Sequence, residues 1–250
     1  PLGTIPKTLG DTPELMKAVV IRPEREGWPK DSMRVEEVPV PTIGPNDVLV
    51  LNMAAGVNFN GVWAARGVPI SACKMTGDNF HIAGSDASGI VWKVGSEVPR
   101  WKVGDEVILH CNQTCRHCAE CNGFDPMACT HQKIWGYETN YGSFAQFSRV
   151  QPQQLLEKPA HLSWAESASY GLTYFTAYRM LIDRAEMKPG DNVLIWGAGG
   201  GLGIFAVQLC KVMGANPIAV VSNKEKESLV RELGAQWVID RKEFDFSQGV

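Results

Sequence analysis

One short string constrains this chain more than any other: Gly197-Ala-Gly-Gly-Gly-Leu-Gly203, seven residues of which five are glycine. Glycine costs the most backbone entropy on folding, so it is concentrated where the chain must turn tightly or be approached closely. Ahead of the string, Asn192–Trp196 is a short apolar run of strand length; after it, about Leu202–Met213 is a helix-length segment stopped by Gly214. A second strand (Pro217–Val221), a helix (Lys224–Leu233) stopped by Gly234, and a third strand (Trp237–Ile239) follow. This β-α-β-α-β alternation is half of a doubly wound parallel sheet, the Rossmann arrangement. Gly197 is assigned to the tight turn, Gly200 to close approach of a pyrophosphate, and Gly203 to helix–strand packing. With Leu202 they form the expected dinucleotide contacts, because the helix N-terminus offers free N–H groups and a favourable dipole to an anion. The spacing is G-x-x-G-x-x-G rather than G-x-G-x-x-G, so the strand before and the helix after carry the reading; a purely structural turn is the alternative. The other mononucleotide half is absent up to Val250, and the chain is read as truncated there.

The end of the second strand selects the cofactor. An NAD site places an acid there, roughly 20 residues past the glycines, for the ribose 2′-hydroxyl. This chain has Val221-Ser-Asn-Lys224, with no acid before Glu225. Ser222 and Lys226, with Arg241 just past the third strand, suit the 2′-phosphate of NADPH. Ser222 and Glu225 also fit a helix capping box, and the two readings are compatible.

Seven cysteines need explaining, and four of them, Cys115, Cys118, Cys121 and Cys129, crowd into one loop, 111–130, as C-x2-C-x2-C-x7-C. Four thiolates at short spacing close a tetrahedron around structural Zn²⁺ with no open position. An iron–sulfur cluster and a metal-free thiol lobe are the alternatives. The charge balance of 24 basic against 27 acidic residues, net −3, supplies no field for nucleic acid. No stretch approaches the roughly 18 apolar residues of a membrane helix. A cytoplasmic protein without nucleic-acid or membrane partners is expected.

Residues 1–161 read as short strands (Lys17–Ile21, Asp47–Met53, Ala87–Val94) punctuated by Gly and Pro turns, a compact barrel-like β domain. Residues 162–250 form the second domain. It opens on the capping box Ser163-Trp-Ala-Glu166, from which a helix is predicted to continue to about Asp183.

The cysteine spacing, Gly104-Asp-Glu-Val107, Gly56-Val-Asn58 and the late glycine string resemble the medium-chain dehydrogenase/reductase superfamily. Longer strings are similar to crotonyl-CoA carboxylase/reductases: His81-Ile-Ala-Gly-Ser-Asp86, Ile134-Trp-Gly-Tyr-Glu-Thr139 with Gly142-Ser-Phe-Ala145, Thr176-Ala-Tyr-Arg179 and Asn192-Val-Leu-Ile-Trp-Gly197. The resemblance runs from about Lys17 to Arg241. It implies α/β plus β architecture: a GroES-like β domain with a zinc lobe, followed by a partial Rossmann domain. Zinc alcohol dehydrogenases of this superfamily hold a catalytic metal with a Cys and a His where this chain has Asn58 and Ser85, neither a good zinc ligand. Asp86 and His81 are read as turn and packing residues.

The resemblance further implies NADPH-dependent reductive carboxylation of a short 2-enoyl-CoA, crotonyl-CoA to ethylmalonyl-CoA, by a homo-oligomer whose partners are an acyl-CoA and CO2. Its CO2-holding residues correspond to Asn58 or Asn60, Tyr137 and Glu138, with a later His beyond Val250. A turn-capping role is the alternative for each asparagine. In this scheme Glu138 orients the amide or a water and Tyr137 excludes bulk water. A plain enoyl-CoA or acryloyl-CoA reductase and a non-enzymatic NADPH-binding regulatory relative are the competing readings.

Overall fold

The computed structural model describes residues 2–243, which divide between Gly171 and Leu172 into two units. The first carries, in chain order, β1 (Leu15–Ile21), α1 (Pro29–Ser32), β2 (Arg34–Pro39), β3 (Val48–Gly56), α2 (Phe59–Arg66), α3 (Ala72–Thr76), β4 (His81–Ile82) and β5 (Asp86–Val94). It continues with β6 (Glu106–Leu109), β7 (Asn112–Gln113), β8 (Lys133–Ile134), β9 (Phe147–Val150), β10 (Leu155–Glu157) and α4 (Trp164–Ser167). The main sheet is antiparallel in the order β10-β6-β5-β3-β9, and a smaller one runs β2-β1-β4.

β3 explains why its sequence reads as a continuous apolar run instead of an alternating one. Side chains point alternately to the two faces of a strand. Val48 and Val50 enter a core with Val91, Val107, Leu109 and Trp135, whereas Leu49 and Leu51 enter another with Met16, Val20, Ile82 and Phe147. Both faces are covered, and each such side chain contributes about 1.5–3 kcal/mol by burial. Asn52 is the polar exception. Its amide donates to Ala145 O at 2.9 Å and to Ser148 Oγ at 2.8 Å, which ties β3 to the β9 segment. The β3–β5 pairing shifts register between Leu49 and Val50 and between Asn52 and Ala54, so the two strands still meet at Gly56↔Asp86.

The division after Gly171 leaves 162–171 with the first unit, beyond the expected boundary at 161/162, because α4 packs on β3 and β5 and Ser88 Oγ donates to Trp164 O at 2.6 Å. The capping box forms as expected: Ser163 N donates to Glu166 Oε2 at 2.8 Å and Glu166 N to Ser163 Oγ at 3.3 Å. The single helix to Asp183 does not form. α4 ends at Ser167, α5 (Gly171–Tyr178) restarts, and Arg179–Arg184 continues as a π-helical turn. The interruption follows from packing. A Cβ on Gly56 would lie 2.2 Å from Ala168 O, and one on Gly171 would lie 2.6 Å from Asp86 Oδ1, so this stretch is pressed onto the sheet.

The second unit holds β11 (Asn192–Trp196), α6 (Gly201–Met213), β12 (Asn216–Val221), α7 (Lys224–Glu232) and β13 (Trp237–Asp240). Its three strands are parallel in the order β11-β12-β13, with Ile195↔Ala219 and Val220↔Ile239 in register. Val207, Cys210, Ala219 and Val230 are fully buried between helices and sheet, and Gly214 closes α6 in the left-handed conformation at φ +75°. The strands and helices predicted for this half sheet are therefore present, to within a residue at each end. Among the described residues no helix is long and apolar enough to cross a membrane.

Candidate functional site

The antiparallel pairing Gly56↔Asp86 places the residues that leave β3 beside those that enter β5. Asn58 and Asn60 are thereby brought to Ser85 and Asp86, more than twenty residues away in sequence. Asn58 precedes α2 in extended conformation, but its side chain makes no capping bond; its Nδ2 donates to Asp86 Oδ2 at 2.7 Å. Asn60 Nδ2 donates to Ser85 Oγ at 2.7 Å, and Ser85 Oγ donates in turn to Trp135 O at 2.8 Å. Neither asparagine side chain caps a turn. Ser85 and Asp86 are both buried. Burial, and then the charge of Asp86, push the nearby Cys111 thiol up to about 12, so it stays protonated.

The loop that follows β8 is locked against the same turn. Gly136 takes φ +74°, and a Cβ there would fall 1.8 Å from Gly84 O. His81 lies fully buried with Nε2 at 3.2 Å from Gly136 O, and burial lowers it to about 4, so the imidazole is neutral and packs, as the sequence reading had it. Tyr137 donates its hydroxyl to Val68 O at 3.0 Å, and burial, then the Glu138 charge, raise its phenol above the ordinary value.

Glu138 departs from expectation. Its carboxylate accepts from Ile134 N at 2.7 Å while its own N–H bonds Ile134 O at 2.8 Å, so it braces its own loop. The asparagine amides are held by Asp86 and Ser85, which the sequence reading had set aside as a turn residue and a lost metal ligand. No sequence signal identifies them, because the pairing depends on which strand ends meet.

The four lobe cysteines converge. Sγ–Sγ distances are 3.4 Å for Cys118–Cys121, 3.6 Å for Cys115–Cys129 and 3.7 Å for Cys115–Cys121, and all four sulfurs lie within 4.8 Å of one another. Tetrahedral zinc with bonds near 2.3 Å separates its sulfurs by about 3.8 Å, so this donor set fits the ion. Among the described residues it is the one group of three or more His, Cys, Asp or Glu side chains able to share a metal. Asn58 and Ser85 belong to no such group: Asn58 Nδ2 donates to Asp86 Oδ2 and Ser85 Oγ accepts from Asn60 Nδ2.

In the second unit a cavity of about 220 Å³ lies beyond the ends of β11 and β12, lined by Trp196, Gly197, Gly200, Ser222, Lys226 and Arg241 among others. Gly197 needs its glycine for φ +69°, and Gly203 for space, since a Cβ would lie 2.5 Å from Ala198 Cα. At the α6 N-terminus Gly200 N donates to Gly197 O at 2.9 Å, while Gly201 and Leu202 leave their N–H groups outside the helical ladder. Asn223, not Ser222, caps α7, accepting from Lys226 N at 2.9 Å, and the Ser222 hydroxyl has no partner among the described residues. The capping-box alternative for Ser222 is thus corrected. Trp196 and Gly199 are lining residues that sequence reasoning missed; Trp196 stands just before the glycine string and Gly199 lies inside it.

Residues 44–160 match the family described as Alcohol dehydrogenase GroES-like domain, and residues 201–250 the Zinc-binding dehydrogenase family. Over 245 residues the chain is 56% identical to the crotonyl-CoA carboxylase/reductase of Cereibacter sphaeroides, covering 97% of this chain and 57% of that protein. A solved crotonyl-CoA carboxylase/reductase aligns at TM-score 0.93 and 59% identity over 98% of this chain and 57% of its own. Another, in complex with NADP, aligns at TM-score 0.92 and 46% identity over 98% and 62%. The chain spans little more than half the length of these relatives.

Proposed function

The chain belongs to the crotonyl-CoA carboxylase/reductase family of the medium-chain dehydrogenase/reductase superfamily, and on that premise we propose that the protein catalyses NADPH-dependent reductive carboxylation of a short 2-enoyl-CoA, crotonyl-CoA to ethylmalonyl-CoA. The observation that carries this reading is the pair of held amides: where zinc alcohol dehydrogenases keep a catalytic metal, Asn58 and Asn60 are bonded to Asp86 and Ser85. Amides and a hydroxyl are poor zinc ligands but good handles for an uncharged, weakly polar molecule such as CO2.

NADPH would be held by Gly197, Gly200, Leu202 and Gly203 at the diphosphate and by Ser222, Lys226 and Arg241 at the 2′-phosphate. When bound it supplies a hydride to the β-carbon of the enoyl thioester; the π electrons pass to the α-carbon, which bonds CO2 as a carboxylate or, in a plain reductase, takes a proton. The residues of the first unit decide which. Asn58 and Asn60 orient CO2 through their amides. Tyr137, anchored on Val68 O, keeps bulk water off the α-carbon, and Glu138 holds the loop that carries Tyr137. These are contributions of orientation and water exclusion. Zn²⁺ on Cys115, Cys118, Cys121 and Cys129 is structural, since four thiolates leave no position for substrate. A cytoplasmic, homo-oligomeric enzyme completes the proposal, on the strength of the family.

The test is NADPH oxidation by the whole protein with crotonyl-CoA, with and without bicarbonate, and products identified by mass. Ethylmalonyl-CoA in bicarbonate is the expected result. Butyryl-CoA alone would establish a plain reductase, and cofactor binding without turnover a regulatory protein.

A further inference from the structure

We propose that Ser85 and Asp86 are positioning residues: they set the rotation of the Asn60 and Asn58 amides, and so control whether the α-carbon meets CO2 or a proton. The inference rests on the functional reading above and names the side chains on which its specificity depends. A primary amide is nearly symmetric in shape but opposite in chemistry at its two ends. Turned one way it presents a donor, turned the other an acceptor, and without a partner both rotations are open to it.

Each asparagine here has a partner that accepts only one rotation. The Asp86 carboxyl accepts through Oδ2 from the N–H end of Asn58, at 2.7 Å. A serine hydroxyl has one proton, and Ser85 gives it to the carbonyl of Trp135 at 2.8 Å. Towards Asn60 it therefore acts as an acceptor and binds the N–H end, at 2.7 Å. Reversing either amide would set oxygen against oxygen at a half-buried contact, where an unmatched polar pair costs more than in water.

The positioning residues are themselves fixed. Ser85 and Asp86 are 0% and 1% exposed. Asp86 pairs with Gly56 in the sheet, and Gly171 packs so closely on it that a Cβ would lie 2.6 Å from Oδ1. Asp86 opens β5 and Ser85 directly precedes it, at the edge of an element that holds side chains more closely than a free loop. Each amide is left with a second N–H and its carbonyl oxygen in a defined order. That order is complementary to CO2, whose oxygens accept weakly and whose carbon is electron-poor.

The experiment measures products and cofactor affinity together in the whole protein, for wild type, Ser85→Ala and Asp86→Asn, under saturating bicarbonate. The expected result is a tenfold or larger fall in the ethylmalonyl-CoA to butyryl-CoA ratio in both variants. NADPH affinity should stay within twofold of wild type, since its binding residues lie in the other unit. Loss of fold would instead lower cofactor binding and all turnover. An unchanged ratio in active variants, with wild type making ethylmalonyl-CoA, overturns the proposal and leaves the functional reading standing. Wild type making butyryl-CoA alone overturns that reading, and with it the claim on partitioning. A measurement on wild type keeps the test independent of how the variants fold: with ¹⁵N-asparagine, the side-chain N–H groups of Asn58 and Asn60 should exchange with solvent at least tenfold more slowly than those of exposed asparagines. Exchange at the exposed rate would overturn the proposal.

Discussion

At the scale of single residues, Ser222 shows how little separates a structural from a recognition role. It and Asn223 stand side by side before α7, and either can cap a helix. The backbone decides: Asn223 is the last extended residue, at φ −167°, and its Oδ1 reaches Lys226 N, which leaves Ser222 to line the cavity with Lys226 and Arg241. Ser222→Asp puts a carboxylate where the 2′-phosphate of NADPH is proposed to lie. The expected outcome is at least a tenfold rise in the KM for NADPH with a smaller change for NADH; equal effects on both would move the phosphate site elsewhere. Gly203 was legible from sequence for the right reason, packing against Ala198. Asp86 was not, because its partner Asn58 is near only through the β3–β5 register.

At the scale of elements, the cysteine lobe is expected to depend on a metal. Between Cys111 and Thr130 only Cys111 and Cys129 are buried, and Phe124 is 78% exposed. Its flanking strands β7 and β8 are two residues each, so neither apolar burial nor a sheet can hold it. Metal analysis is expected to give about one zinc per chain, and chelation or Cys121→Ser to lower Tm by several degrees, as for a structural site whose binding energy is folding energy. A zinc-free preparation of undiminished Tm would end this assignment. The opposite lesson comes from α4 and α5. Ser163–Asp183 has the capping and composition of one helix, and the start signal was correct, yet the helix breaks at 168–170 where the chain presses on Gly56 and Asp86. Local propensity is a weak prior against contacts of that kind.

At the scale of the whole molecule, stability should carry the imprint of His81. The folded first unit holds its imidazole near 4, whereas an exposed histidine titrates near 6.5. Between those values the unfolded chain binds a proton that the folded one does not, so stability falls as pH drops from about 6.5 towards 4, by roughly 3 kcal/mol at the limit. Thermal unfolding from pH 7 to 4.5 should show this loss, and His81→Gln, which keeps an N–H for Gly136 O, should flatten it. An identical pH slope in the variant would place the sensitive group elsewhere. What the sequence by itself determined is whatever depends on near neighbours along the chain. That covers the β-α-β-α-β half sheet and its glycine turn, the cysteine quartet, and the strand-rich first unit, because periodicity, capping and short-range ligand spacing are written within a few residues of each other. The tertiary structure alone decided the break between α4 and α5, the inward turn of Glu138 onto Ile134, and the pairing of Asn58 with Asp86 and Asn60 with Ser85. Those depend on which strand ends meet and how closely backbones approach, and contacts so distant along the chain leave no periodic signal in one sequence.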